Sequence, residues 1–127
     1  MSVSAKERAS SIHAKGYSCS GAVLAAFADE LGMSDRQAVR TAAPMAGGAK
    51  IKCGAVLAAE YVLDKKANEQ GNSSADFISK FEKRFKEENT SVICRELRGG
   101  LGAPRLRSCR GCVEDSADIL EQMLKEL

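Results

Sequence analysis

The stretches SCSGAVLAAF (residues 18–27) and IKCGAVLAAE (residues 51–60) share the hexapeptide Gly-Ala-Val-Leu-Ala-Ala. Alanine is the best helix former and leucine follows closely, so each copy reads as the opening of a helix. Small side chains on both copies allow two helix backbones to approach closely. A cysteine stands just ahead of each copy, Cys19 and Cys53, in the first turn of its predicted helix. Unpaired backbone N–H groups and the helix dipole favour an anion there. A thiol so placed loses its proton more readily, and the thiolate is the form that binds metals and attacks disulfides. Lys50 and Lys52, beside Cys53, push the same way.

Outward from the repeat, the chain reads as helix after helix. The first runs from about residue 4 to 15, with Gly16 placed to stop it. The second runs from about residue 18 to 31, ahead of Gly32, with Val23, Phe27 and Leu31 on one stripe. Ser34-Asp35-Arg36-Gln37 is a capping-box pattern that opens a third, and Pro44 and Gly47-Gly48 end it. The fourth covers roughly residues 52–67, and a loop follows. Ser74 or a neighbour caps a fifth helix, in which Phe77, Phe81 and Phe85 recur every four residues and predict a core-facing stripe. A short helix fits "SVICREL", and "RGGLGAPRLRS" is irregular. In the last helix Val113, Ala117, Leu120, Leu124 and Leu127 form one apolar face. No segment has a strand period, so the expectation is a single all-α domain, a bundle of five to six helices.

The 127 residues suffice for one domain with a real core. Hydrophobic residues make up 44% and charged residues 28%, as in a soluble globular protein. A net charge of +2 does not by itself imply nucleic acid. No apolar run approaches the roughly 20 residues that span a bilayer, and the N-terminal stretch carries no signal-peptide hydrophobic region. The expected location is the cytoplasm, where cysteines more often bind metals or do redox chemistry than form structural disulfides. The cysteine count is five, so complete internal pairing is impossible.

Traced as an up-and-down bundle with short connections, the chain brings the starts of the second and fourth helices to one end. The fifth helix finishes at that end, so Cys94 lands there too. The Arg-Gly loop stays near it, and Cys109 opens the last helix there. Four cysteines far apart in sequence thus form one cluster at one end of the bundle.

The segments "YSCSGAV", "AGGAKIKCGAVLA", "VICREL" and "SCRGCVEDSADILEQ" resemble the C-GCAxxG-C-C family of small redox-active proteins, over nearly the whole chain after residue 16. The resemblance places the family's four cysteines on Cys19, Cys53, Cys94 and Cys109. Cys109 is preferred to Cys112 because the family's last cysteine stands four positions before an apolar residue, here Val113. Gly47 and Gly48 match the glycines ahead of the second cysteine. The chain departs from the pattern at Ala58, where the family's Cys-Gly-Ala-x-x-Gly ends in glycine. It departs again at Ser20-Gly21, where Ala-Gln is more usual, and in carrying Cys112 as an extra cysteine. The resemblance implies a redox role and no particular substrate or redox partner protein.

Three chemistries suit four convergent thiolates. One is an iron–sulfur centre such as [2Fe-2S], although spacings of 34, 41 and 15 residues match no standard ferredoxin run. Lys50, Lys52, Arg107 and Arg110 would offset its negative charge, with Gly54 and the Gly47-Gly48 pair shaping the backbone around it. Another is a tetrahedral zinc site of four cysteine thiolates, which would make the protein a non-enzymatic binding module with a basic partner loop. The third is metal-free thiol–disulfide exchange, in which Cys109-Arg110-Gly111-Cys112 reads as a Cys-x-x-Cys dithiol without the βαβ setting of thioredoxins. There Cys112 is a resolving thiol, a substitute ligand, or simply a small buried residue. Against all three stands an inert set of cysteines in an alanine-rich core.

Arg95, Arg98, Arg105, Arg107 and Arg110 crowd the glycine-rich stretch. With no aromatic stacking platform beside them, a solvated loop or a charge collar around the cysteines is favoured over a nucleic-acid contact. "AGGAKIK" lacks the spacing of a phosphate loop. His13 is the single histidine and lies on a polar helix, while Glu30, Asp35 and Glu60 show no pairing. A homodimer is compatible with the sequence, and nothing in it predicts membrane insertion.

Overall fold

Serine side chains start several of the helices. In the computed structural model, which describes residues 3–46, 51–99 and 104–126, Ser4 caps helix α1 (Ala5–Ala14) and Ser18 caps α2 (Cys19–Ala26), each accepting from the backbone N–H three residues on. Ser34 and Gln37 complete the predicted capping box of α4 (Asp35–Ala42). Such caps satisfy donors that a helix start otherwise leaves open. The remaining elements are α3 (Ala28–Leu31), a 3-10 turn (Ala43–Met45), α5 (Gly54–Glu69), α6 (Ser74–Asn89), α7 (Cys94–Arg98) and α8 (Cys109–Glu126).

The class is all-α. Among the described residues six helices have eight or more residues, and β pairing is limited to one isolated antiparallel bridge, Lys52 with Ile93. One expectation shifts in detail. The helix predicted over residues 18–31 breaks at Phe27, whose backbone (φ −110°, ψ 17°) leaves the α region and whose N–H bonds Leu24 three residues back. The break keeps the Phe27 ring in the core, 1% exposed, while the chain turns towards Gly32. The N-cap position of α6 is Ser73, the neighbour of Ser74, within the expectation.

Helix α2 sits at the centre and packs against α1, α4, α5 and α8. Ser20, Gly21, Ala22, Val23, Leu24 and Ala26 are all buried. The hydroxyl of Ser20 is satisfied by the carbonyl of Ala42 at 2.9 Å. Facing α2, helix α5 buries the second copy of the hexapeptide at Gly54, Ala55, Val56, Ala58 and Ala59. Helices α6 and α8 close the other side of α5. Phe81 and Phe85 are fully buried and stacked with ring centroids 6.2 Å apart, and Phe77 packs half-buried beside them. On α8, Val113, Ala117 and Leu120 are fully buried and Leu124 partly so. Leu127 lies outside the described residues.

The phenylalanine stripe carries the largest side chains of the α6 interface. Phe81→Ala should cost about 3–5 kcal/mol, read as a lowered midpoint in urea denaturation with the slope unchanged. A loss below about 1 kcal/mol would contradict this packing.

Candidate functional site

Four cysteines stand at helix starts. Cys19 is the first residue of α2, Cys94 of α7 and Cys109 of α8, and Cys53 is the N-cap of α5. Cys112 lies one turn into α8. The structure brings all five to the wall of one pocket of about 30 Å³, which they share with Leu97, Arg98 and Arg107. All five cysteines are thiols, with no disulfide between them.

Specific contacts set this convergence. The Lys52–Ile93 bridge consists of Cys53 N–H to Val92 carbonyl, 2.7 Å, and Cys94 N–H to Ile51 carbonyl, 3.0 Å. It clips the segment before α5 to the segment before α7 and so holds Cys53 and Cys94 side by side. Gly54 lets α2 come close, since a Cβ there would stand 2.6 Å from the Cys19 sulfur and 2.8 Å from the Met45 carbonyl oxygen. Leu97 accepts from the N–H groups of Leu106 and Arg107 at 3.0 and 3.1 Å, which folds the approach to α8 back over α7. Ser108 then caps α8 through the N–H of Gly111, 3.0 Å.

Burial grades the thiols. Cys53 and Cys112 are 6% and 2% exposed, Cys19 and Cys94 are intermediate, and Cys109 is exposed. The two buried thiols contact each other. The Cys112 S–H donates to Cys53 and brings the Cys53 thiol down to about 7, against the upward push of burial and with help from the N–H groups of Val56 and Ala55. The same contact, together with burial, pushes the Cys112 thiol far up, and the nearby Arg107 pulls weakly the other way. Cys53 is therefore the thiolate of the pair and Cys112 its proton-bearing neighbour.

Of the expected supporting residues, Gly54 acts at the site as described. Gly47, Gly48 and Lys50 lie outside the described residues. Lys52 turns from Cys53 to a carboxyl pair, 3.3 Å from Glu60 and in contact with Glu82. Arg110 does not line the pocket; its Nε donates to Ser10 at 2.9 Å and lies 3.6 Å from Glu114, tying α8 to α1. Two other arginines take its expected place. The guanidinium of Arg98 lies beside Cys94 and within electrostatic reach of Cys109 and Cys19. Cys94 and Arg98 are four apart on one helix, a spacing that puts them on one face and that could have revealed the pair. Arg107 lays its side chain over Gly111, where a Cβ would stand 2.3 Å from its Nε. It reaches Asp115 at 3.3 Å, and its Nε is buried with no hydrogen bond among the described residues.

Glu60 also has partners that no spacing announced. Burial raises its carboxyl to about 8, reinforced by its hydrogen bond to Glu82 and opposed by Lys52. The same hydrogen bond holds Glu82 low, and both carboxyls lie against the Lys52 ammonium. As for a metal, no group of three or more cysteine, histidine, aspartate or glutamate side chains among the described residues is arranged to hold one.

Two measurements check these electrostatics. The pH dependence of alkylation at Cys53 should show a midpoint near 7, and Cys112→Ala should move it upward by removing the largest downward influence; an unmoved midpoint would contradict the contact. Between the ordinary glutamate range and about 8, the folded chain holds a proton on Glu60 that the unfolded chain has released. Stability therefore falls as pH rises through that window. Glu82, held low, loses its contribution only as pH falls below its ordinary range. Urea denaturation of Glu60→Gln should accordingly show a shallower loss of stability from about pH 5 to about pH 8 than the parent chain.

Neither the curated proteins nor the solved structures compared with this chain gave a match. A family model described as "Putative redox-active protein (C_GCAxxG_C_C)" matches residues 17–123. That span runs from just before Cys19 almost to the end of α8 and holds all five cysteines of the pocket, and the chain belongs to this family of redox-active proteins.

Proposed function

We propose that the protein exchanges electrons as a dithiol–disulfide couple formed by Cys53 and Cys112. The observation that carries this reading is the burial of the two thiols together at one pocket, 6% and 2% exposed, where the Cys112 S–H favours the Cys53 thiolate. Attack on a disulfide needs a thiolate near ambient pH, and resolution needs a second thiol within reach. The half-reaction conserves atoms and electrons. Cys53 and Cys112 join in one S–S bond, the disulfide of a partner opens to two thiols, and two electrons pass to the partner with the protons that the dithiol gives up. The helix start behind Cys53 and its hydrogen bond from Cys112 favour the thiolate without help from a base, and none of the other residues at the pocket is needed as one.

A second reading retains one observation in its favour, the convergence of five thiols on a single pocket. In it Cys19, Cys53, Cys94 and Cys109 would draw together around iron–sulfur or zinc, and the arginines would face a partner protein.

Anaerobic purification followed by assay of iron, acid-labile sulfide and zinc separates the two readings. On the metal-free protein, titration with oxidised dithiothreitol and peptide mapping should show two thiols disappearing together as a Cys53–Cys112 disulfide. Cys53→Ser and Cys112→Ser should each abolish that disulfide, while far-ultraviolet circular dichroism stays at the parent value. Stoichiometric iron or zinc, or a thiol count that never changes, would sink the dithiol reading.

A further inference from the structure

The Cys53–Cys112 pair is nearly closed to solvent, 6% and 2% exposed, yet thiol–disulfide exchange requires the attacking sulfur to reach the partner's S–S bond. A thiol with better access stands beside it. Cys109 is exposed, lines the same pocket, and opens the helix that carries Cys112. We infer that Cys109 is the thiol that meets the partner's disulfide, and that Cys112 carries the oxidation inward to Cys53; this rests on the dithiol reading above.

Residues three apart on a helix stand on one face, with Cβ atoms about 5–6 Å apart, and a disulfide needs about 3.5–4.5 Å. The gap lies in the first turn of α8, where the backbone of Cys109 is less constrained than in the helix interior. Cys94 is also in the pocket but belongs to another helix, and it is less exposed than Cys109. Arg98 faces Cys109 as well as Cys94 and steadies negative charge on either sulfur. Arg107 lies near Cys112, and its buried Nε–H can meet a thiolate formed there.

The relay has three exchanges. The Cys109 thiolate attacks one sulfur of the partner disulfide, that S–S bond breaks, and the other partner sulfur leaves. Cys112 then attacks the Cys109 sulfur while its proton passes to the remaining partner sulfur, which leaves as a thiol. The Cys53 thiolate attacks the Cys112 sulfur and expels Cys109 as a thiolate. Two electrons have moved to the partner, whose two sulfurs take up protons. The chain is left with a Cys53–Cys112 disulfide and a regenerated Cys109.

The test uses the full chain with oxidised glutathione as the disulfide, quenching by alkylation and mapping by peptide mass spectrometry. In Cys109→Ala and in Cys109→Ser, formation of the Cys53–Cys112 disulfide should slow by at least about tenfold. The equilibrium midpoint of that pair should stay at the parent value. In Cys112→Ala a glutathione adduct should accumulate on Cys109. An unslowed inner disulfide in both Cys109 variants, or an adduct on Cys53 or Cys94 in place of Cys109, overturns the relay while leaving the dithiol couple standing. Failure of the parent chain to form the inner disulfide at any glutathione ratio overturns both.

Discussion

The close approach of the two Gly-Ala-Val-Leu-Ala-Ala helices is the contact on which the rest of the molecule depends. Helix α2 is buried on most of its surface, and only small residues let four neighbours reach it. At its N-terminal end Gly54 leaves the space that the Cys19 sulfur and the Met45 carbonyl fill. The position of Cys19 relative to Cys53 is thus a property of the core. The pocket inherits its shape from helix packing, and the connecting segments complete it.

That origin accounts for the gradation among the five thiols. Elements packed deepest present the buried cysteines, Cys53 at the start of α5 and Cys112 one turn into α8. Helix starts nearer the surface present Cys19, Cys94 and Cys109. Charge is arranged the same way. The buried pair relies mainly on its mutual hydrogen bond and on helix N–H groups, with Arg107 a weak influence on Cys112, whereas the more accessible sulfurs have the guanidinium of Arg98.

Much of this was legible in the sequence because it follows local rules. Capping serines, the 3.6-residue period of the phenylalanine stripe and the apolar face of α8 are each set within a few residues. The convergence of the cysteines followed from helix order and short connections. The partnership of Cys53 with Cys112 was less legible, since a Cys-x-x-Cys draws attention to its own two members and the true contact lies 59 positions away. Lys52 was misdirected for a similar reason. Its neighbour in sequence is Cys53, but its ammonium finds Glu60 and Glu82 across the α5–α6 interface, and no helical period links Lys52 to a residue 30 positions on. Arg110 gave way to Arg98 and Arg107 because the helical turn of α8 carries it round towards α1.

Gly111 gives the Cys-Arg-Gly-Cys segment a meaning beyond spacing. It is a saddle across which the Arg107 side chain lies to come near Cys112. Any side chain at 111 would unseat that arginine and withdraw a positive charge from the innermost sulfur, with both cysteines of the segment untouched. A residue that has no charge and no functional group thus sets, through the room it leaves, where one positive charge near Cys112 can sit.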